Sequence, residues 1–160
     1  MNERETAIIK RFNKPEDLFN LGIKALIQNA NGQILLLKPN PAQFTSTSES
    51  SEWDLPGGRI HRASTIEKTL KREVKEETGI DNVEIKQLIG STLVNRRIGT
   101  GEASVGLILF IYECTVPNTP EINLSDEHLN FKWFSKEEAE NHLSKIFPIH
   151  FIERLRSFKN

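Results

Sequence analysis

Only one cysteine, Cys114, occurs in the 160-residue chain, so no intramolecular disulfide and no multi-cysteine zinc site can be built within it. Cys114 reads as a small apolar residue inside a strand rather than as a catalytic thiol. Long apolar runs are missing as well: the longest, Leu107 to Tyr112, suits a buried strand and falls far short of a bilayer span. Nor is there an excess of one charge. Lys and Arg total 21 against 22 Asp and Glu, so no net basic field exists to hold a DNA or RNA polymer or an anionic membrane. Met1 to Arg11 carries Glu3, Arg4, Glu5, Lys10 and Arg11 and has no apolar core of signal-peptide length, which leads to the expectation of a cytoplasmic protein. Neither a G-x4-G-K-[ST] phosphate loop nor a G-x-S-x-G elbow occurs, and kinase-like and serine-hydrolase readings lose their best support.

What is present, 37% hydrophobic and 27% charged residues, is ordinary for a globular protein, and the length points to a single domain over residues 1–160. Leu21, Ile23, Ala25 and Ile27 alternate with other residues, then Ile34 to Leu37 follows Asn29-Ala30-Asn31-Gly32, a hairpin signal. Pro39 to Glu52, rich in Ser and Thr, reads as a surface loop. Ser64-Thr65-Ile66-Glu67 fits a capping box with Ser64 as N-cap and Glu67 reaching back, Thr65 being the alternative cap, and the helix it opens should stop at Gly79. Val83 to Val94, Glu102 to Val116 and Phe131 to Phe134 are strand-like. Ser135 opens a further helix, and a last one begins near Pro148 and carries Phe151, Ile152, Leu155 and Phe158 at helical spacing. The sum is an α+β chain: a mixed sheet layered with helices.

The helix before Gly79 is the informative one. With Ile66 at zero and about 100° per residue, Ile66, Leu70 and Val74 form a stripe centred near about 40°. Lys68, Lys71 and Lys75 fall opposite it, where solvated charges belong. Glu73 and Glu77 land on the edge of the stripe, at about −20° and 20°, and Glu76 on its flank at about −80°. Three carboxylates on a partly buried side repel one another and resist desolvation. Arg72, one turn from Glu76, can pair with it but cannot balance all three. A hard divalent cation can, and an oxygen-only donor set without Cys or paired His suits Mg²⁺ or Mn²⁺ better than zinc. Just upstream, Trp53-Asp54-Leu55-Pro56-Gly57-Gly58 supplies paired glycines whose backbone can approach a metal or a phosphate closely.

The stretch Gly58-x5-Ser64-x7-Arg72-Glu73-Val74-x-Glu76-Glu77-x-Gly79-Ile80 closely resembles the Nudix box, G-x5-E-x7-R-E-U-x-E-E-x-G-U with U aliphatic, and departs from it only at Ser64. The resemblance implies a Nudix-like α/β/α sandwich around a mixed sheet. It also implies Mg²⁺-dependent hydrolysis of a nucleoside diphosphate linked to another group. Carried onto these positions, Glu73, Glu76 and Glu77 resemble the family's metal ligands, Gly57 offers a carbonyl, and Arg72 orients the acidic cluster. Family members often bring a further carboxylate from the region of Ser125-Asp126-Glu127-His128, which makes Glu127 the candidate additional ligand or base and Asp126 its competitor. His61, His142 and His150 lack a metal-ligand partner at suitable spacing. Trp53, Phe44 and Phe131 are candidate walls for a nucleotide base. The expected substrate is a small nucleotide, a nucleoside triphosphate or a dinucleoside polyphosphate. The competing reading, resting on Ser64, is a Nudix-fold ligand-sensing or protein-binding module without turnover.

Overall fold

The computed structural model describes residues 17–43, 52–99 and 104–157. Strands β1 (Phe19–Gln28) and β2 (Ile34–Pro39) form the expected hairpin. Its turn is held by Asn29, whose Oδ1 accepts from the amides of Asn31 and Gln33, both at 3.0 Å. The two strands pair only at Gln28–Ile34 and then diverge. The fork between them is filled by residues 54–59. Leu37 and Asp54 exchange backbone hydrogen bonds of 2.8 and 2.9 Å, the Ala25 amide donates to the Pro56 carbonyl at 2.8 Å, and β3 (Gly57–Arg59) pairs antiparallel with Gly22 to Lys24. The two glycines therefore sit inside the sheet, flanked by main chain.

Strand β4 (Glu84–Ile98) pairs antiparallel with β5 (Val105–Thr115), β5 lies parallel to β1 from Phe19–Gly106 to Gln28–Thr115, and β6 (His128–Phe134) runs antiparallel to β2. The order β4-β5-β1-β2-β6 gives the mixed sheet that the sequence implied, with β3 paired to β1. Helix α1 (Ile66–Thr78) covers one face, and α2 (Lys136–Leu143) with α3 (Ile149–Ser157) covers the other. The period-two alternation of the strands sorts the core. Ile23, Ala25, Ile27, Leu35 and Leu37 pack with Leu70 and Val74 of α1, whereas Leu26, Ile34 and Leu36 pack with Leu143, Phe151, Ile152 and Leu155. Leu70 and Val74 are fully buried, each contributing about 2 kcal/mol of burial that seats α1 on the sheet.

Three local expectations change. The N-cap of α1 is Thr65 rather than Ser64: Thr65 is extended and its Oγ1 accepts from the Lys68 amide at 3.2 Å. Ser64 instead shares a hydrogen bond of 2.9 Å with the buried Thr69 hydroxyl, and Glu67 pairs with Lys71 at 2.7 Å, so no capping box forms there. The reciprocal box occurs at Ser135 and Glu138, opening α2. Ile66, placed on the apolar stripe by its spacing, is 38% exposed; its neighbours Glu67 and Lys68 at the helix start are exposed too, and burial begins at Thr69 and Leu70. Gly79 does stop the helix, with a left-handed φ of 77° and its amide donating to Lys75 O at 2.9 Å. Cys114 is buried in the core facing α1, where desolvation holds its thiol up at about 12. Phe44 and Phe158 lie outside the described residues.

Candidate active site

The last two turns of α1 meet β3. Gly57 has φ 144°, and a side chain on it would run into the Ile23 carbonyl of β1. A Cβ on Gly58 would strike the carboxylate of Glu73. One turn further along α1, Glu77 Oε2 accepts from the Gly57 amide at 2.8 Å. Glu73 and Glu77 thus converge on the glycine pair, their side chains 14% and 8% exposed. Arg72 donates to Glu73 at 2.6 Å and to Glu76 at 3.0 Å, tying the two carboxylates together at the helix surface.

Glu76 departs from the expectation of three carboxylates on one partly buried side, since its side chain is 57% exposed. Its angle explains this: about −80° is a third of a turn from the stripe centre, far enough for the side chain to reach water and Arg72. Among the described residues no three His, Cys, Asp or Glu side chains stand close enough to share one metal ion. The chemistry of the donors nevertheless fits a hard divalent cation. Every candidate donor is an oxygen, and Glu77 is a carboxylate whose pKa is pushed up to about 8, by burial first and by Glu73 and Asp54 further, against the pull of Lys24 and the Gly57 amide. A carboxylate so placed ionises at neutral pH only beside added positive charge.

Two titratable side chains that were not among the expected site residues belong here. Lys24 Nζ reaches Asp54 Oδ2 at 2.7 Å and the Leu55 carbonyl at 2.9 Å, bracing the turn that leads into the glycines. A lone lysine among the apolar residues of β1 was the available signal. His128, at the start of β6, has its Nε2 3.9 Å from Glu77 Oε1 with both side chains 8% exposed. Burial, reinforced by Lys24, pulls its pKa down to about 4, so the ring is neutral at physiological pH. Nothing periodic in the sequence marks it, because it is the first residue of its strand and is positioned by the turn before it.

The neighbouring Glu127 is exposed and contributes only its carbonyl, which accepts from the Asn40 amide at 2.8 Å. Asp126 is likewise exposed, with its carbonyl bonded to Asn40 Nδ2 at 2.9 Å. Trp53 and Phe131 are not brought into a single wall. Trp53 is half-buried on the α2–α3 side, edge-on to Phe134 at 5.1 Å, with Lys38 Nζ 5.9 Å above its ring. Phe131 packs on the α1 side. His142 stacks at 4.8 Å against Phe134, and His61 and His150 are exposed.

With this geometry in view, the chain matches the NUDIX domain model over residues 18–155. It is 31% identical over 125 residues to the nucleoside triphosphatase NudI of Salmonella agona, covering 71% of this chain and 79% of that protein. It is 29% identical over 140 residues to Nudix hydrolase 5 of Arabidopsis thaliana, covering 87% of this chain but only 42% of that longer relative. Among solved structures it resembles the MutT protein from Methanosarcina mazei Go1, with a TM-score of 0.66 and 26% identity over 89% of this chain and 94% of that one.

Proposed function

The chain belongs to the NUDIX domain family and is a Nudix-type pyrophosphate hydrolase, and from that premise we propose that it cleaves a nucleoside triphosphate or a dinucleoside polyphosphate with Mg²⁺, Mn²⁺ substituting, as one domain spanning residues 1–160. The observation that carries this reading is the convergence of the Glu73 and Glu77 carboxylates on Gly57 and Gly58. Glu73 and Glu77 would hold the cation, with the Gly57 carbonyl as a further oxygen, and Glu76 would join them once its exposed side chain leaves Arg72. When bound, the cation supplies neutralisation of the diphosphate oxygens and acidification of the attacking water.

The remaining chemistry falls to side chains of this chain. Water oxygen forms the new bond to phosphorus, the bridging P–O bond breaks, and the leaving phosphate takes the electron pair. A carboxylate takes the proton that the water loses, and Glu127, exposed next to His128, is the candidate. Arg72 keeps Glu73 and Glu76 oriented. Lys24 offsets part of the negative charge around Glu77. Phe131, on the face of the sheet that carries α1, and Phe44 are the candidate base contacts, while Trp53 lies on the other face.

A near-neutral chain without a basic track favours a short, metal-chelated phosphate over a polymer. A competition assay tests this, with nucleoside triphosphates, dinucleoside polyphosphates, capped RNA and a nucleotide sugar at equal concentration, in Mg²⁺, in Mn²⁺ and with chelator. Preferential loss of capped RNA overturns the small-nucleotide reading, and preference for the sugar overturns only the choice among small nucleotides.

A further inference from the structure

Glu77 has one carboxylate oxygen, Oε2, fixed by the Gly57 amide, while the other, Oε1, faces the imidazole of His128 across 3.9 Å. The loop that leads into His128 is built onto the same helix turn. The Asn123 amide donates to the Thr78 carbonyl at 2.9 Å, the Ser125 amide to the Glu77 carbonyl at 3.3 Å, and the His128 amide back to the Ser125 carbonyl at 3.2 Å. Asn40 clamps the loop from the other side. Two buried polar atoms here, His128 Nδ1 and Ser125 Oγ, have no hydrogen-bond partner among the described residues. Polar groups buried in this way are seldom mere packing. Apolar packing would be better served by Phe or Leu, and no helix or strand needs an imidazole at this point.

Resting on the reading of Glu77 as a cation ligand, we propose that His128 is a positioning residue whose Nε2–H orients Glu77 Oε1 within the metal site. Beside a bound cation Glu77 is an ionised carboxylate that only accepts hydrogen bonds, so the ring must present N–H toward it, which sets the Nε2–H tautomer and leaves Nδ1 bare. The separation lies about 1 Å beyond a hydrogen bond, a distance that a small rotation of either side chain closes. Groups that orient a ligating side chain in this way typically set metal affinity by about 10- to 100-fold. The contact also explains why the loop is tied to the last turn of α1 rather than left to solvent.

The test uses the two amides that mimic the two ring nitrogens. Gln places its amide nitrogen where Nε2 stands, and Asn places it where Nδ1 stands. Mn²⁺ affinity of the substrate-free protein is measured by electron paramagnetic resonance at one fixed pH for native protein, His128→Phe, His128→Asn, His128→Gln and Glu77→Gln, with melting temperature as the check on folding and kcat and KM recorded separately. The expected result is a loss of Mn²⁺ affinity of at least about tenfold in His128→Phe and His128→Asn, with His128→Gln remaining close to native, and a fall in kcat at little-changed KM that follows the same order. Native Mn²⁺ affinity in folded His128→Phe, or equal affinity in the Asn and Gln variants, overturns the inference while leaving Glu77 as a ligand. Should His128→Phe not fold, the Asn and Gln pair decides. Equal affinity in native and Glu77→Gln protein overturns the assignment of Glu77 and the inference with it.

Discussion

The two faces of the sheet are packed from the same strands and serve different ends. Against α2 and α3 the core is apolar and aromatic, built from Phe134, Phe147, Phe151, Ile152 and Leu155. Ser135 and Glu138 of α2 close their capping box at its start, and the His142 ring lies against Phe134 with its Nδ1 buried. Against α1 the core is equally well buried at Leu70 and Val74 but gives way, within one turn, to Glu77, Glu73, Lys24, Asp54 and His128. One face stabilises the fold and the other holds desolvated charge that stability alone would never select. The contrast teaches that apolar packing of α1 supplies the rigidity with which an unfavourable carboxylate is held in place.

Removing a large side chain from the apolar face should have the largest effect on stability and none on metal affinity. Phe151→Ala is expected to cost about 3–5 kcal/mol in chemical denaturation while Mn²⁺ affinity of the folded fraction stays native. A matching loss of affinity would break the division between the faces.

Glu77→Gln should do the reverse. Turnover is expected to fall at least about a hundredfold, as for loss of one key electrostatic group. The metal-free variant should be no less stable than native protein at mildly alkaline pH. The sign follows from the raised carboxyl: its pKa is about 8 in the folded protein against 4.5 as the ordinary value. The folded state therefore keeps a proton that the unfolded state releases. Stability from this group is fully present below 4.5 and is lost as pH rises through about 8. Metal-free native protein should accordingly show a falling melting temperature over that interval. Glu77→Gln should flatten the fall, and added Mg²⁺ should raise the melting point more at the alkaline end than at the acidic end.

Lys24→Met sharpens the comparison further. It removes an ion pair with Asp54 whose side chains are 16% and 29% exposed, at an expected cost of about 2 kcal/mol. Because the pair braces the turn before Gly57, turnover should drop by more than the stability change accounts for, which steady-state kinetics on folded protein will read. The smallest effect is expected at the far end of α1. Thr65→Ala should cost about 1 kcal/mol in thermal unfolding and leave kcat unchanged, with Ser64→Ala costing less because Ser64 is not the cap. A larger loss in Ser64→Ala would reverse the two assignments.

Features that lie close together in the chain were legible without a structure. The hairpin around Asn31-Gly32, the helix ending at Gly79, the buried pair Leu70 and Val74, and the partnership of Arg72 with Glu76 all follow from spacings of two, three or four residues. Glu76 shows the edge of that method. Its angle puts it on the flank, and there the side chain reaches water and Arg72 rather than the sheet. Thr65 took the cap because the backbone turned extended at that residue, and either hydroxyl satisfied the local pattern.

From its own order, then, the chain determined an alternating sheet, an amphipathic helix with its glutamates one turn apart and a pair of glycines upstream, since each depends on dihedral preferences and periodicities within a few residues. Only the tertiary structure decided that β1 and β2 part after Gln28 and Ile34 to admit the glycines. That fork brings Lys24 to Asp54 and sets Glu77 against the Gly57 amide, while Trp53 and Phe131 end on opposite faces. The loop from Asn123 then delivers His128 rather than Glu127 to Glu77. These contacts join residues dozens of positions apart, and what selects them is the burial of two apolar faces of one sheet at once, a condition that no local stretch of sequence expresses.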